Sequence, residues 1–201
     1  MVSEVKANKI SPASGTAITL GDSGDTFTVP SGATIVNSGT ATGFGGNVVQ
    51  TVYDSSTQQH AVATGTDNIP FDDTVPEIGE GNQYMNVSIT PQSASNILVV
   101  QHQGWYSDSL SGGAMIAIFA GNTCVGAAQY EHPTGSLHSG GDILSLPVTA
   151  IFAAGTTSAL AITIRAGSHQ DAGTLSFNGV AGVRRYGATP KSSLIVTEYT
   201  P

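Results

Sequence analysis

The sequence predicts an all-β protein, a short β-rich N-terminal shaft followed by an antiparallel sandwich. Three observations predict it. Only 10% of the residues are charged, against roughly 25% in an average globular chain. Gly, Ser, Thr, Ala and Asn take their place, and Gly and Ser are poor helix formers. Apolar residues come in short alternating or β-branched runs, as strands require. Gly, Pro and Asn punctuate those runs at regular intervals, as turns require.

Residues 1–15 are polar and carry Lys6 and Lys9. From Gly15 onward, strand-like words at 17–20, 26–29, 33–36 and 40–44 alternate with turn words at 21–24, 30–32 and 38–39. The anchors Ile18, Phe27, Ile35 and Phe44 form a weak internal repeat. Apart from these, the only large apolar residues here are Leu20, Val29 and Val36. Burying so few side chains cannot offset the conformational entropy of ordering the whole segment. The segment therefore needs other chains, against which each short strand can pair and cover its apolar side. A flexible Gly/Ser/Thr-rich linker is the plainer reading, and the evenly spaced aromatic and β-branched anchors count against it. Residues 46–67 are a transition in which 49–53 fits either a strand or a short helix.

The head begins with an acidic arm punctuated by Pro70 and Pro76, then a turn at Gly79, Gly81 and Asn82. The next strand places Tyr84, Asn86, Ser88 and Thr90 on one face and Met85, Val87 and Ile89 on the other. Pro91 ends it, having no N–H for a ladder. Further strands are predicted at 97–106, 114–119, 124–130, 142–152, 159–165, 174–177 and 193–199. A hairpin turn is expected at 120–123. The intervals 107–113 and 131–141 read as loops, and 179–187 as a turn-rich connector. This amounts to about eight antiparallel strands, a sandwich of jelly-roll type. The organisation is then 1–15 attachment segment, 16–67 shaft and linker, and 68–201 head.

Charge and motifs narrow the function. The net charge is −8, and no Lys or Arg lies between Lys9 and Arg165. Nucleic acid is not an expected partner, because gripping a phosphate backbone takes clustered cations. No apolar run is long enough for a membrane helix, and no signal peptide is expected at the N-terminus. Cys124 is the single cysteine and reads as a small buried hydrophobe. No nucleophile-elbow, metalloprotease, phosphate-loop or paired-cysteine motif occurs. Asp72 and Asp73 are adjacent, so on a strand they point apart and cannot work as a pair. Catalysis, cofactors and metals are therefore not expected. One histidine per chain on a threefold axis is the only metal arrangement the five histidines suggest.

The wording KISPASGTAITLGDSGDTFTVPSGATIVNSGTATGFG, residues 9–45, resembles the repetitive segment of bacteriophage tail fibres, in particular those of marine and cyanobacterial phages. The block IPFDDTVPEIGEGNQYMNVSITPQSASNILVV, with the closing SSLIVTEY, resembles their C-terminal head domain. The resemblance implies a homotrimer with an intertwined β-rich shaft. It also implies a head similar to the jelly rolls of tumour necrosis factor and complement C1q. The function it implies is that of a virion protein, on tail or capsid surface, whose head contacts a host surface glycan or protein. A capsid decoration or cement trimer is the alternative, and a polysaccharide-degrading tailspike a further one. A short fibre or a capsid fibre suits the brief segment ahead of the head better than a long tail fibre. Candidate receptor-binding residues are Trp105, Tyr106, Tyr130, His132 and His138, which offer aromatic faces with polar edges next to the two long loops. Ordinary core or rim packing is the plainer role for each. Lys6 and Lys9 are the candidates for attachment to other virion proteins.

Overall fold

A computed structural model describes residues 9–34, 36, 48–56, 60–62, 68–108, 113–131, 143–168, 175–180 and 182–201. The chain divides into two compact units, Met1–Gly45 and Gly46–Pro201. In the first, the turns expected at 21–24 and 30–32 form, and that expected at 38–39 lies outside the described residues. Asp25 N–H donates to Asp22 C=O at 3.0 Å, and Ala33 N–H to Pro30 C=O at 3.0 Å. Gly24 and Gly32 take the positive φ values of 98° and 87° that such turns need. The strands expected at 17–20 and 26–29 are absent, because nothing among the described residues of this unit supplies a ladder partner. Leu20 and Phe27 stand 64% and 70% exposed. The strand expected at 33–36 does not form either at its described residues 33, 34 and 36, and that expected at 40–44 lies outside the described residues.

The second unit is an all-β antiparallel sandwich. Its strands are β1 (Val48–Ser56), β2 (His60–Val62), β3 (Asn82–Ile89), β4 (Ile97–Asp108), β5 (Gly113–Ala120) and β6 (Thr123–Glu131). They continue as β7 (Leu144–Ala153), β8 (Leu160–Ser168), β9 (Leu175–Phe177), β10 (Gly179–Val180), β11 (Val183–Arg184) and β12 (Ser192–Tyr199). The long strands pair as nested partners: β1 with β12, β3 with β8, β4 with β7, and β5 with β6. Two further pairings, β12 with β4 and β8 with β5, join these into two sheets. One sheet runs β1-β12-β4-β7, with β9 and β2 continuing beyond the end of β12; the other runs β3-β8-β5-β6. This nesting is the strand order of a jelly roll. The head therefore begins at β1, ahead of the expected boundary at residue 68, because β1 forms the edge beside the last strand. Pro147 sits within β7, which pairs only with β4 among the described strands, so its missing N–H leaves no ladder bond unmade there.

Alternation fills the core as expected. Leu98, Val100, Leu194, Val196, Val148 and Ala150 from the first sheet meet Met85, Ile89, Ile116, Ile118, Ile162 and Ile164 from the second. Tyr84 departs from its expected face. A register shift between Gln83 and Met85 re-aims it, and its ring packs 4.8 Å from Phe177 and 6.2 Å from Tyr106.

The two outer faces differ. The arm ahead of β3 covers the second sheet: Ile69, 1% exposed, packs with Ala117 and Phe119. Arg165 on β8 holds the arm's end, donating from Nε to Glu80 C=O at 2.7 Å and from Nη2 to Gly81 C=O at 2.5 Å. No described segment of this unit covers the first sheet in the same way, and Val48, Tyr53, Ile151 and Ile195 are 53%, 74%, 68% and 37% exposed.

One buried carboxylate ties the sheet crossing together. Glu198, on the inward face of β12, is fully buried. It accepts from Gln50 Nε2 at 2.5 Å, Asn96 Nδ2 at 2.6 Å and Gln92 N–H at 2.8 Å. These bonds join β1, β12 and the chain that crosses from β3 to β4. Burial raises its pKa, but the donors from Gln50, Asn96 and the backbone of Gln92 and Ser93 outweigh that and hold it below 4.5. Its contribution is therefore present above about pH 4.5 and lost as pH falls through the depressed folded value. We expect Glu198→Ala to lose about 3 kcal/mol in urea unfolding at neutral pH, since it strands the buried Asn96 amide. The difference between the two proteins should narrow as the pH falls below 4.5.

Candidate functional site

The site starts from one pentapeptide in β4, His102-Gln103-Gly104-Trp105-Tyr106. Alternation along the strand sends His102, Gly104 and Tyr106 inward and Gln103 and Trp105 outward. Tyr106 is 0% exposed. Its ring lies back along the strand over Gly104, and its hydroxyl meets His102 Nε2 at 2.8 Å. A Cβ at Gly104 would fall 2.6 Å from both His102 Nε2 and Tyr106 Cζ, so only glycine leaves room for this contact. Nδ1 of His102 lies 2.8 Å from Ser193 C=O. A carbonyl only accepts, so Nδ1 carries the hydrogen, and Nε2 accepts from the Tyr106 hydroxyl. Burial keeps that hydroxyl protonated, raising its pKa well above 10, with a smaller push from Tyr84.

Trp105 sits where β4 changes partners. The ladder to β12 runs to Gln103, and the ladder to β9 begins at Tyr106. Side chain and turn groups fill the gap. Trp105 N–H donates to Ser192 Oγ at 3.2 Å, and Asn178 N–H donates to Trp105 C=O at 2.8 Å. Ser192 Oγ donates in turn to Asn178 Oδ1 at 2.7 Å, and Asn178 Nδ2 to Ser56 C=O at 3.0 Å. Ser192 and Asn178 are 0% and 3% exposed. The backbone that carries the indole is thus held by a buried network.

Opposite the indole stands a tight turn, Tyr186–Ala188. Ala188 N–H donates to Arg185 C=O at 3.1 Å and Thr189 N–H to Tyr186 C=O at 3.0 Å. Tyr186, Gly187 and Ala188 all have positive φ, at 48°, 60° and 65°. Two of the three are not glycine, which costs about 1–2 kcal/mol each. The Tyr186 ring is 78% exposed. Between them, Trp105, Tyr186 and Pro190 wall an open cleft of about 590 Å³, with Gln103, Thr189 and Lys191 as its polar edges. That volume suits a small ring ligand. Among the described residues no carboxylate lines it.

Of the sequence-predicted site residues, the structure places Trp105 in this cleft, half-buried. Tyr106 is corrected: its ring is core, not surface, because the strand alternation that exposes Trp105 buries its neighbour. Tyr130 lies on β6 in the other sheet, packed against the core, and is not brought to the cleft. His132, His138 and Lys6 lie outside the described residues. Lys9 is exposed in the Met1–Gly45 unit. Tyr186 was hidden in what reads as a connector, and Pro190 and Lys191 between that connector and the closing strand. The one signal for them was local: Arg184, Arg185 and Lys191 flank an aromatic and a proline in a chain otherwise poor in cations. Among the described residues no group of three or more His, Cys, Asp or Glu side chains is placed to hold a metal.

His102 gives the base of the site a pH dependence. Burial lowers its pKa from 6.5 to about 4, partly opposed by the bond to Ser193. Between those values the unfolded chain takes up the proton and the folded chain does not, so stability is full above pH 6.5 and falls as the pH drops. We expect a loss of about 2 kcal/mol between pH 7 and pH 5. His102→Gln should flatten that slope, measured by urea unfolding at each pH.

No protein-family model matches this chain, and no curated protein does. Among solved structures it is similar to a crystal structure of the infectious bursal disease virus VP2 subviral particle, at 14% identity and a TM-score of 0.33 over 77% of this chain. It is likewise similar to a structure of the infectious bursal disease virus Gx strain, at 14% identity and a TM-score of 0.32 over 76% of this chain. This chain spans 38% and 37% of the lengths of those two chains.

Proposed function

We propose that this chain is a virion structural protein, a trimeric fibre whose head contacts the host cell surface by binding rather than by catalysis. The observation that carries the reading is how much apolar surface one chain leaves bare. In the Met1–Gly45 unit Ile18, Leu20, Phe27, Val29 and Val36 are all exposed, and on the first sheet so are Val48, Tyr53, Ile151 and Ile195. A soluble monomer rarely shows such patches unless a partner covers them. A second copy is the natural cover, because the segments expected as strands at 17–20 and 26–29 lack a ladder partner that an identical chain would supply. Threefold assembly follows the resemblance to phage fibres. On the head, copies pack through the apolar end of the first sheet. The register there sets Thr51, Thr197, Val99 and Ile151 in one row and Tyr53, Ile195, Gln101 and Thr149 in the next.

The other end of that face is reserved for the ligand. The row Ser55, Ser193, Gln103 and Pro147 separates the apolar patch from the Trp105 cleft. Glycoside hydrolysis takes two facing carboxylates, and the cleft lining has none among the described residues, which favours adhesion over a degrading tailspike.

Light scattering should give about three times the 20.4 kDa chain mass. The double variant Tyr53→Asp/Ile151→Asp should lower that mass while keeping the β-sheet circular dichroism of the head. A stable wild-type monomer overturns the assembly. Antibody labelling of virus particles should place the protein on a fibre; labelling spread over the shell, with capsids lacking the protein bursting under mild heat, overturns adhesion in favour of decoration.

A further inference from the structure

We propose that the cleft between Trp105 and Tyr186 binds an acidic sugar, a pyranose bearing a carboxylate, within a host-surface polysaccharide. The inference rests on the adhesion reading above and names the ligand class for it. Three separate features of the cleft point the same way.

The first is the lining. Pyranose rings present apolar C–H faces and polar hydroxyl edges. The indole, the phenol and the Pro190 ring offer faces for the former, and the Gln103 amide and Thr189 hydroxyl offer partners for the latter.

The second is charge. The head carries four cations, Arg165, Arg184, Arg185 and Lys191. Arg165 is engaged with the carbonyls of Glu80 and Gly81. The other three fall within eight residues of one another around the turn, all exposed, and Lys191 lines the cleft itself. On a chain of net charge −8, this is where an anion meets attraction rather than repulsion. A neutral sugar gains nothing from that placement. A nucleic acid needs a longer track of cations than these three residues provide.

The third is strain. Gly at position 186 would adopt φ of 48° without steric cost, yet the residue is tyrosine and its ring stands free. Backbone held in an unfavourable region marks sites where the side chain is needed for something other than stability. On the facing wall, the buried Ser192–Asn178 network holds Trp105 in place before any ligand arrives, which reduces the entropy lost on binding.

Trp105 is the single tryptophan of the chain, so the emission of the intact protein reports on this cleft alone. Titration with short oligomers of galacturonate, glucuronate and mannuronate should change that emission saturably for at least one of them. Maltotriose and triglutamate should not, since one lacks the charge and the other the ring. Lys191→Gln should weaken the binding about tenfold. Tyr186→Gly should abolish it while the melting temperature stays level or rises, a combination that loss of folding cannot produce. No response to any of the three acidic oligomers overturns the inference. So does an equal response to maltotriose or triglutamate, or unaltered binding by Tyr186→Gly. The adhesion reading has its own readout in adsorption of the labelled wild-type protein to host cells. Adsorption that persists in Lys191→Gln and in excess acidic oligomer removes this ligand and leaves adhesion standing. Absence of adsorption removes adhesion itself, and with it the host polysaccharide.

Discussion

The head depends on a tyrosine lying over a glycine. Tyr106 folds back along β4 across Gly104 to reach His102, and the three inward positions act as one unit. Phe177 and Tyr84 pack around the same ring, at 5.4 Å and 6.2 Å, so both sheets converge on it. Its effect on the surface is equally direct. With Tyr106 locked inward, alternation fixes Trp105 outward. The change of ladder partner from β12 to β9 then brings Ser192 and Asn178 to the indole's backbone. An interior contact thus sets the geometry of an exterior cleft.

The opposite end of the sandwich is organised by charge instead of aromatic packing. Glu198 gathers Gln50, Gln92 and Asn96, so the first long strand, the last strand and the crossing between sheets share one acceptor. The two devices respond differently to acid. His102 is held neutral and loses its advantage first as pH falls, whereas Glu198 is held charged and loses its advantage lower down. A face left bare between these two ends, with the opposite sheet covered by its own arm, is the surface on which the proposed assembly rests.

Much of the head was legible in the sequence because strands announce themselves locally. Alternation and β-branched runs located every long strand from β3 onward, and Gly121-Asn122 located the β5–β6 hairpin. What escaped was non-local or one residue out of step. β1 looked indifferent between strand and helix, since its identity comes from β12, more than a hundred residues later. Tyr84 was expected among polar neighbours, and a bulge turns it inward. Trp105 and Tyr106 stand together as candidate receptor contacts, with core or rim packing the plainer role for each, although parity separates them: His102, Gly104 and Tyr106 share the parity of Leu98 and Val100 and so belong to the core. Tyr186 and Lys191 give no periodic signal at all, because a left-handed turn has none. In residues 9–34 the turns were legible, and the strands expected between them do not form.

The most direct test of this account is the coupling between Gly104 and Tyr106 in a double-mutant cycle followed by urea unfolding. If the tyrosine ring occupies the space above Gly104, Gly104→Ala should cost about 3 kcal/mol in the wild-type background and at least about 1 kcal/mol less in Tyr106→Leu, where only the His102 ring still meets the added Cβ. Equal losses in the two backgrounds would contradict it.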